Sequence, residues 1–503
     1  MLPEQPHVPL TRPDEDSSVF EAVHRQTRTP SLDEMGPTSL VRPSPMGGSC
    51  RIEFWYSRKQ ALLFIVSLFL LASVFGSLIP PFQSPDEFNH LKRAYLLPRG
   101  IVAVGSVGTR TGAGIDEGLL AYMVCFEPIA ADYGAKVDQA AVRACDTLTY
   151  TGRRRFSDLS NTAMYFPLLY LPQAVALIFS EDTGLSVKDS YYLARLLSLC
   201  TTLTLLLWAM TIYPVPPAVL ALFILPMSLF QMSSASLDAV SFATTALAAS
   251  LFLRGYRRDL LFGHGLHTLL ATCIFLLATS RFICIALTPM LVVLYGVRKS
   301  RSYAISFVAV LTLSLAWIIF ARTTVHGQGA MTQATSSSDI IRYYLIHPVT
   351  FLGVVFRTLT DATILRGYWE MFVGVLGWMD IPLGSAAYVS FAVELMAVVI
   401  VSTPASSLRY LNRGHLTVAG AGIATLLLLF LVALSAWTEH PATVVRGIQG
   451  RYLYPIVILL LFACWTGRPC TKRLAASVTI LIFMAVSSVD FTVPRLIHRY
   501  YAH

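Results

Sequence analysis

Charge is scarce in this chain: 13% of its 503 residues are Asp, Glu, Lys or Arg, against 55% that are hydrophobic. That balance excludes a soluble globular protein, because repeated apolar runs of roughly 16 to 22 residues have the length of bilayer-crossing helices. Also missing are a Walker-type phosphate loop, a dinucleotide-binding glycine pattern, a His-Glu-x-x-His and a Cys-x-x-Cys. Energy and redox cofactors are therefore not indicated, and a transferase of this build would use an already activated donor. No basic, aromatic-interleaved soluble module is present either, so the net charge of +9 does not point to nucleic acid. Most of the basic residues flank apolar runs, where topology accounts for them.

What is present is a polar head followed by a membrane protein. Residues 1–55 are rich in Pro, Ser, Thr and charge and read as a disordered cytoplasmic tail, too polar for a signal peptide. About eleven spans follow, roughly 60–79, 190–213, 217–232, 238–254, 266–279, 282–297, 302–320, 384–402, 415–436, 452–466 and 474–490. Parity turns on Tyr165–Phe179, which is short and broken by Pro167 and Pro172. Read as a helix on the membrane surface, it puts the basic clusters at Arg254–Arg258, Arg298–Arg301, Arg409–Arg413 and Arg468–Arg473 on one face with Arg58 and Lys59. The positive-inside rule makes that face cytoplasmic.

The expected fold class is an all-α, polytopic integral membrane helical bundle, amino terminus inside and carboxy terminus outside. Its expected parts after the tail are a membrane module over 56–320 with a first external loop at 80–189, a second external loop at 321–383, and membrane helices over 384–503. Both loops should carry juxtamembrane helices. Of eight cysteines, Cys200, Cys273, Cys284 and Cys464 fall in apolar helices, and Cys50 and Cys470 flank helices. Cys125 and Cys145 share the first loop, and whether they form a disulfide is left open by the sequence.

Pro80-Pro81-Phe82-Gln83-Ser84-Pro85-Asp86-Glu87 brings two acids to the membrane surface just after the first span. A carboxylate there suits a general base or a ligand for a divalent cation such as Mg or Mn. It equally suits a helix start, with Ser84 as cap, Pro85 at the first position and acids in the first turn. His90 adds polar reach one turn on. Asp238 stands where a cap would stand, and Arg281 lies alone between two apolar runs, where snorkelling would also place it. Gly377-Trp378-Met379-Asp380 joins an interfacial aromatic to an acid. Gly447-Ile448-Gln449-Gly450-Arg451-Tyr452 offers close backbone approach, a phosphate-clamping guanidinium and an amphipathic ring. With the topology above, all these residues come out at the external end of the bundle.

In order and spacing, Pro85-Asp86-Glu87 with His90, Tyr170-Leu171-Pro172, Leu193-Ala194-Arg195, Pro226-Met227 with Ser236 and Asp238, Gly377-Trp378-Met379-Asp380 and Gln449-Gly450-Arg451-Tyr452 resemble a bacterial and archaeal membrane family, domain of unknown function 2142. The likeness covers about residues 60 to 470; Arg281-Phe282 departs from it, standing where a lysine and an aromatic would be expected. That family looks like the C-type glycosyltransferases, which use polyprenyl-phosphate sugars and carry an essential acid in the first external loop. The resemblance implies sugar transfer on the external face of the cytoplasmic membrane, to a glycan or lipid acceptor, in cell-envelope glycan synthesis. Asp86 and Glu87 would be catalytic, Arg281 and Arg451 would hold the donor phosphate, and His90, Tyr165, Tyr170, Asp238, Trp378, Asp380, Gln449 and Tyr452 would line the substrate site. Two rivals remain at this point, a flippase for lipid-linked glycans and a non-catalytic assembly protein.

Overall fold

The computed structural model describes residues 54–108, 110–325, 336–466 and 471–502. The expected disordered tail, but for its last two residues, lies outside them, as do Cys50, Arg468 and Cys470. Helix α1 (Arg58–Leu78) begins where Ser57 accepts the Gln60 N–H and the Gln60 side chain accepts the Ser57 N–H. Ala61, Ile65, Leu68, Ala72 and Phe75 form its buried stripe, while Leu62, Leu63, Val66, Leu70 and Val74 stay exposed. An exposed apolar stripe on a helix of this length is the face that hydrocarbon covers.

After α1 the prolines stop the helix, and Phe82 and Asp86, at φ 63° and 65°, swing the chain into α2 (Glu87–Leu96). Asp86 stands at the head of α2 without a capping hydrogen bond, and Ser84 donates its hydroxyl to Gln231 instead. The expected Ser-Pro helix start is therefore not what this segment forms.

The first long loop, residues 80–189, folds around an antiparallel sheet of β1 (Ser106–Val107), β2 (Arg110–Asp116) and β3 (Arg154–Asp158). Helix α3 (Glu117–Val124) starts at Asp116, whose buried carboxylate accepts the Gly118, Leu119, Thr151 and Gly152 N–H groups. Two short helices, α4 (Glu127–Ala131) and α5 (Gln139–Cys145), follow, and Cys125 and Cys145 are joined in a disulfide with a Cα–Cα distance of 6.6 Å. Helix α6 (Ser160–Ala163) leads to the proline-broken segment, which forms a 3-10 turn over Pro167–Tyr170 and then α7 (Leu171–Thr183). At 13 residues α7 is only about 20 Å long, too short to cross a bilayer.

Helix α8 (Val187–Ile212) leads into the buried centre: α9 (Pro217–Ile224), α10 (Pro226–Met232) and α11 (Asp238–Tyr256). Every residue of α9 and α10 is buried. The single span expected at 217–232 is two helices, because Leu225, at ψ 145°, takes the extended conformation that the following proline imposes. Helix α12 (His264–Ser280) likewise stops at Arg281, and a 3-10 turn over Phe282–Leu287 precedes α13 (Pro289–Arg298) and α14 (Arg301–Thr324).

The second loop carries α15 (Ser337–Ile346) and α16 (Pro348–Thr360), bent by 101° at His347–Pro348, then α17 (Ala362–Gly374). A hairpin of β4 (Val375–Leu376) and β5 (Ile381–Pro382) presents Trp378. Helices α18 (Ser385–Ser402), α19 (Arg413–Ala436), α20 (Tyr454–Cys464) and α21 (Thr471–Tyr500) complete the bundle. Among the described residues, α1, α8, α14, α18, α19 and α21 are long and apolar enough to cross a membrane, or seven spans if the bent α15–α16 pair is one. The other expected spans are helical but short, broken or wholly interior. Hydropathy alone does not separate a helix buried in protein from one buried in lipid.

Candidate functional site

Element ends, rather than element middles, build the charged centre. The head of α2 brings Asp86, the start of α11 brings Asp238, the end of α12 brings Arg281, and a 3-10 turn over Gly450–Leu453 brings Arg451. Arg451 Nη2 donates to Asp86 Oδ2 at 2.6 Å, and Nη1 donates to Asp238 Oδ2 and to the Pro85 carbonyl, both at 3.1 Å. Its Nε donates to Gln449 Oε1 at 2.7 Å. Asp238 is held from its other oxygen by Arg281. The result is a row of alternating charge, Asp86–Arg451–Asp238–Arg281, two acids against two guanidinium groups.

Exposure separates the four. Asp238 and Arg451 are 1% and 3% exposed, Arg281 11%, and Asp86 34%. Asp86 is thus the member open to an incoming molecule. Its second oxygen accepts from Asn161 Nδ2 at 2.7 Å. Burial acts to raise the Asp86 pKa, but the Arg451 guanidinium and the Asn161 amide outweigh it and hold the carboxyl below its ordinary value.

Around the charges stand rings. His90, one turn along α2 from Asp86, shares a 2.7 Å hydrogen bond between Nδ1 and the Tyr170 hydroxyl. Burial, helped by the positive charges of Arg281 and Arg451, outweighs the opposing Asp86 carboxylate and drives its pKa down to about 3, so the imidazole is neutral. The Arg281 guanidinium lies 5.7 Å from the Tyr165 ring centre and 5.8 Å from that of Tyr452, and Arg451 lies 5.3 Å from Tyr452. Beyond Arg451 and Gln449 a cleft runs between Pro85, Met227, Phe230, Met371 and Met379.

Three expected site residues stand elsewhere. Glu87 is wholly buried on the far side of the α2 head, where Oε1 accepts from the Tyr191 hydroxyl at 2.8 Å and the Ala235 N–H at 2.7 Å, Oε2 accepts from the Ser84 N–H, and Arg195 lies 3.6 Å away. A cation shared by Asp86 and Glu87 does not fit this geometry, because Glu87's oxygens are already engaged by protein donors. Among the described residues no three His, Cys, Asp or Glu side chains converge as metal ligands. Trp378 donates to the Phe82 carbonyl at 3.1 Å and leans on Phe88, as part of the floor beneath α2. Asp380 pairs with buried Arg499 at 2.7 Å and belongs to a clamp that fixes the C-terminal end of α21 to Ile129 and Ala135 of the first loop.

Several contributors are not among the expected site residues, although Arg195 stands in the Leu193-Ala194-Arg195 motif. Asn161, which holds Asp86, is one polar residue among many in a polar loop. Arg195 supports Glu87 and donates to the Ile79 and Pro80 carbonyls, both at 3.0 Å, tying α8 to the proline turn. Arg93 is wholly buried, pairs with no acid among the described residues, and donates to the carbonyls of Tyr165 and Val102.

Residues 68–460 match the family model described as a predicted membrane protein, domain of unknown function 2142. The chain belongs to this family. In this member of the domain of unknown function 2142 family, the matched segment contains the whole charged centre, from Asp86 to Arg451, and ends before α21. No functionally curated protein matches the chain. Among solved structures, the crystal structure of ArnT from Cupriavidus metallidurans bound to undecaprenyl phosphate matches with 13% sequence identity, over 87% of this chain and 78% of that one, at a TM-score of 0.30. A score that low does not establish a common fold.

Proposed function

We propose that the protein is a membrane glycosyltransferase that moves a sugar from a polyprenyl-phosphate donor to an acceptor hydroxyl at the external face of the cytoplasmic membrane, in cell-envelope glycan synthesis. The observation that carries this reading is the Asp86–Arg451–Asp238–Arg281 row, a solvent-open acid beside two guanidinium groups at one end of an apolar bundle. Charges in such a setting are costly and mark function by default. In the proposed reaction Asp86 takes the acceptor hydroxyl proton as the acceptor oxygen bonds to the anomeric carbon. The bond from that carbon to the phosphate oxygen breaks, and the polyprenyl phosphate leaves with the electron pair. Arg451 and Arg281 stabilise the charge that grows on it. Neutral His90, with Tyr165, Tyr170 and Tyr452, walls the sugar. Glu87, Trp378 and Asp380 are assigned positioning roles. The disulfide in the first loop supports an external site, since such bonds persist in oxidising compartments.

A flippase would be expected to set polar residues along a path at mid-membrane depth. Glu394, midway along α18, is 5% exposed and accepts from the Ser390 and Ser487 hydroxyls at 2.8 and 2.7 Å, both on Oε1, which reads as an interhelical contact. The deciding experiment compares glycan products in membranes from cells lacking the protein, complemented with the native chain or with Asp86→Asn at matched expression. One sugar linkage should disappear without the protein and return only with the native chain, with a rate deficit of about 10²–10⁴ for the variant. Full restoration by Asp86→Asn would remove Asp86 from the mechanism and favour transport or scaffolding.

A further inference from the structure

We propose that Asp86 and the donor phosphate compete for Arg451, so that binding a lipid phosphate itself unlatches the acid that acts on the acceptor. This rests on the transferase reading above and adds an order of events to it. Four of the five Arg451 N–H groups are engaged: one on Nη2 by Asp86, both on Nη1 by Asp238 and the Pro85 carbonyl, and that on Nε by Gln449. At 3% exposure it has almost no water-facing edge. A phosphate gains a paired-oxygen grip on this guanidinium only by taking a place that a protein oxygen now holds.

The acceptors differ in how readily they yield. The Pro85 oxygen is backbone. Asp238 is 1% exposed and anchored from behind by Arg281. Gln449 is a neutral amide in the loop that carries Arg451. Asp86 is the open partner, at 34% exposure, on a turn at φ 65°, and Asn161 already offers its carboxylate a second hydrogen bond. The donor's phosphodiester, like the monoester released from it, presents paired non-bridging oxygens to the guanidinium fork as the carboxylate it replaces does. Once the phosphate sits on Arg451, like charge drives Asp86 toward Asn161 and the open side, and loss of the guanidinium restores its basicity where the acceptor arrives. No bond is made or broken; one hydrogen-bonded ion pair replaces another. A purely structural Asp86–Arg451 pair makes the opposite prediction, because loss of Asp86 would then disorder Arg451 and weaken any anion site.

The test is binding of a polyprenyl monophosphate, without sugar, to the purified full-length protein in detergent. Native protein, Asp86→Asn, Arg451→Gln and the double variant are compared at low salt and at about 1 M salt, where the Debye length of about 3 Å screens the more distant exposed charges. Asp86→Asn should bind at least about fivefold tighter than native, the lower end of ordinary coupling, and the gain should persist at high salt and vanish with Arg451→Gln. Unchanged or weaker affinity, or a gain that salt removes, overturns the competition while leaving the transferase reading in place. Absence of binding to native protein and Asp86→Asn alike overturns both. If Arg451→Gln does not fold, carbodiimide labelling of native Asp86 decides: the lipid phosphate should raise labelling and the neutral polyprenol should not, and equal labelling sinks the proposal.

Discussion

Asp86 and Glu87 are neighbours in the chain, yet their side chains meet different halves of the molecule. Asp86 faces Arg451 and the open end of the bundle, while Glu87 is sealed against Tyr191, Ala235 and Arg195. Removing one partner of a buried pair strands the other, so Glu87→Ala should cost about 3–5 kcal/mol, read as a large fall in thermal unfolding temperature in detergent. Asp86→Asn should cost much less, because Arg451 keeps Asp238, Pro85 and Gln449. An equal loss for both would contradict the division of roles. His90 supplies a pH signature. Its folded pKa, about 3, lies below the unfolded 6.5, so the unfolded chain binds a proton that the folded protein refuses between those values. Stability from this residue is therefore complete above pH 6.5 and is lost as pH falls toward 3. Asp86, Arg281, Arg451, Tyr165 and Tyr170 face the ring and stay in place in His90→Gln, which should flatten the fall in thermal stability between pH 6.5 and 4. A slope identical to native would show that His90 titrates normally. The members of the charged row were legible in the sequence because charge is rare in this chain. The opposite fates of Asp86 and Glu87 were not, since adjacent residues carry no information about which way a left-handed turn aims each of them.

Among the helices, α18 illustrates what hydropathy passes over. From Val389 to Val401 Glu394 is the sole charged residue, and a lone acid inside an apolar run is the signal that should single it out. In the bundle it bridges α18 to α21 through Ser487. Glu394→Ala leaves two serine hydroxyls without their acceptor and opens a gap, so a loss of about 1–3 kcal/mol is expected, whereas Glu394→Gln keeps an oxygen for them and should stay close to native in the same melt. If Gln is as damaging as Ala, the acid does more than join two helices. The breaks at Leu225–Pro226 and at Arg281 show the complementary lesson. Hydropathy misses the first, since it makes 217–232 one span although Pro226 stands inside it. The second is expected between the runs 266–279 and 282–297; what the sequence does not show there is the Arg281 pairing with Asp238, forty-three residues away in the chain.

For the molecule as a whole, every functional argument depends on which side of the membrane the charged row occupies. The long loops, the disulfide and the row lie on one side of the expected topology, and Leu261, 88% exposed beside Arg257 and Arg258, lies on the other. Positive residues remain where the membrane is entered from the cytoplasm, and disulfides form outside it. Cysteines placed one at a time at exposed Arg155, Thr350 and Leu261, with Cys50, Cys200, Cys464 and Cys470 replaced by Ser, separate the alternatives in intact cells. A membrane-impermeant maleimide should label Arg155→Cys and Thr350→Cys directly, and Leu261→Cys only after permeabilisation. Cys125 and Cys145 should resist labelling until a reductant is added. Labelling of Leu261→Cys from outside would invert the topology, place Asp86 and Arg451 in the cytoplasm, and leave a donor carried on the external leaflet without a route to the site.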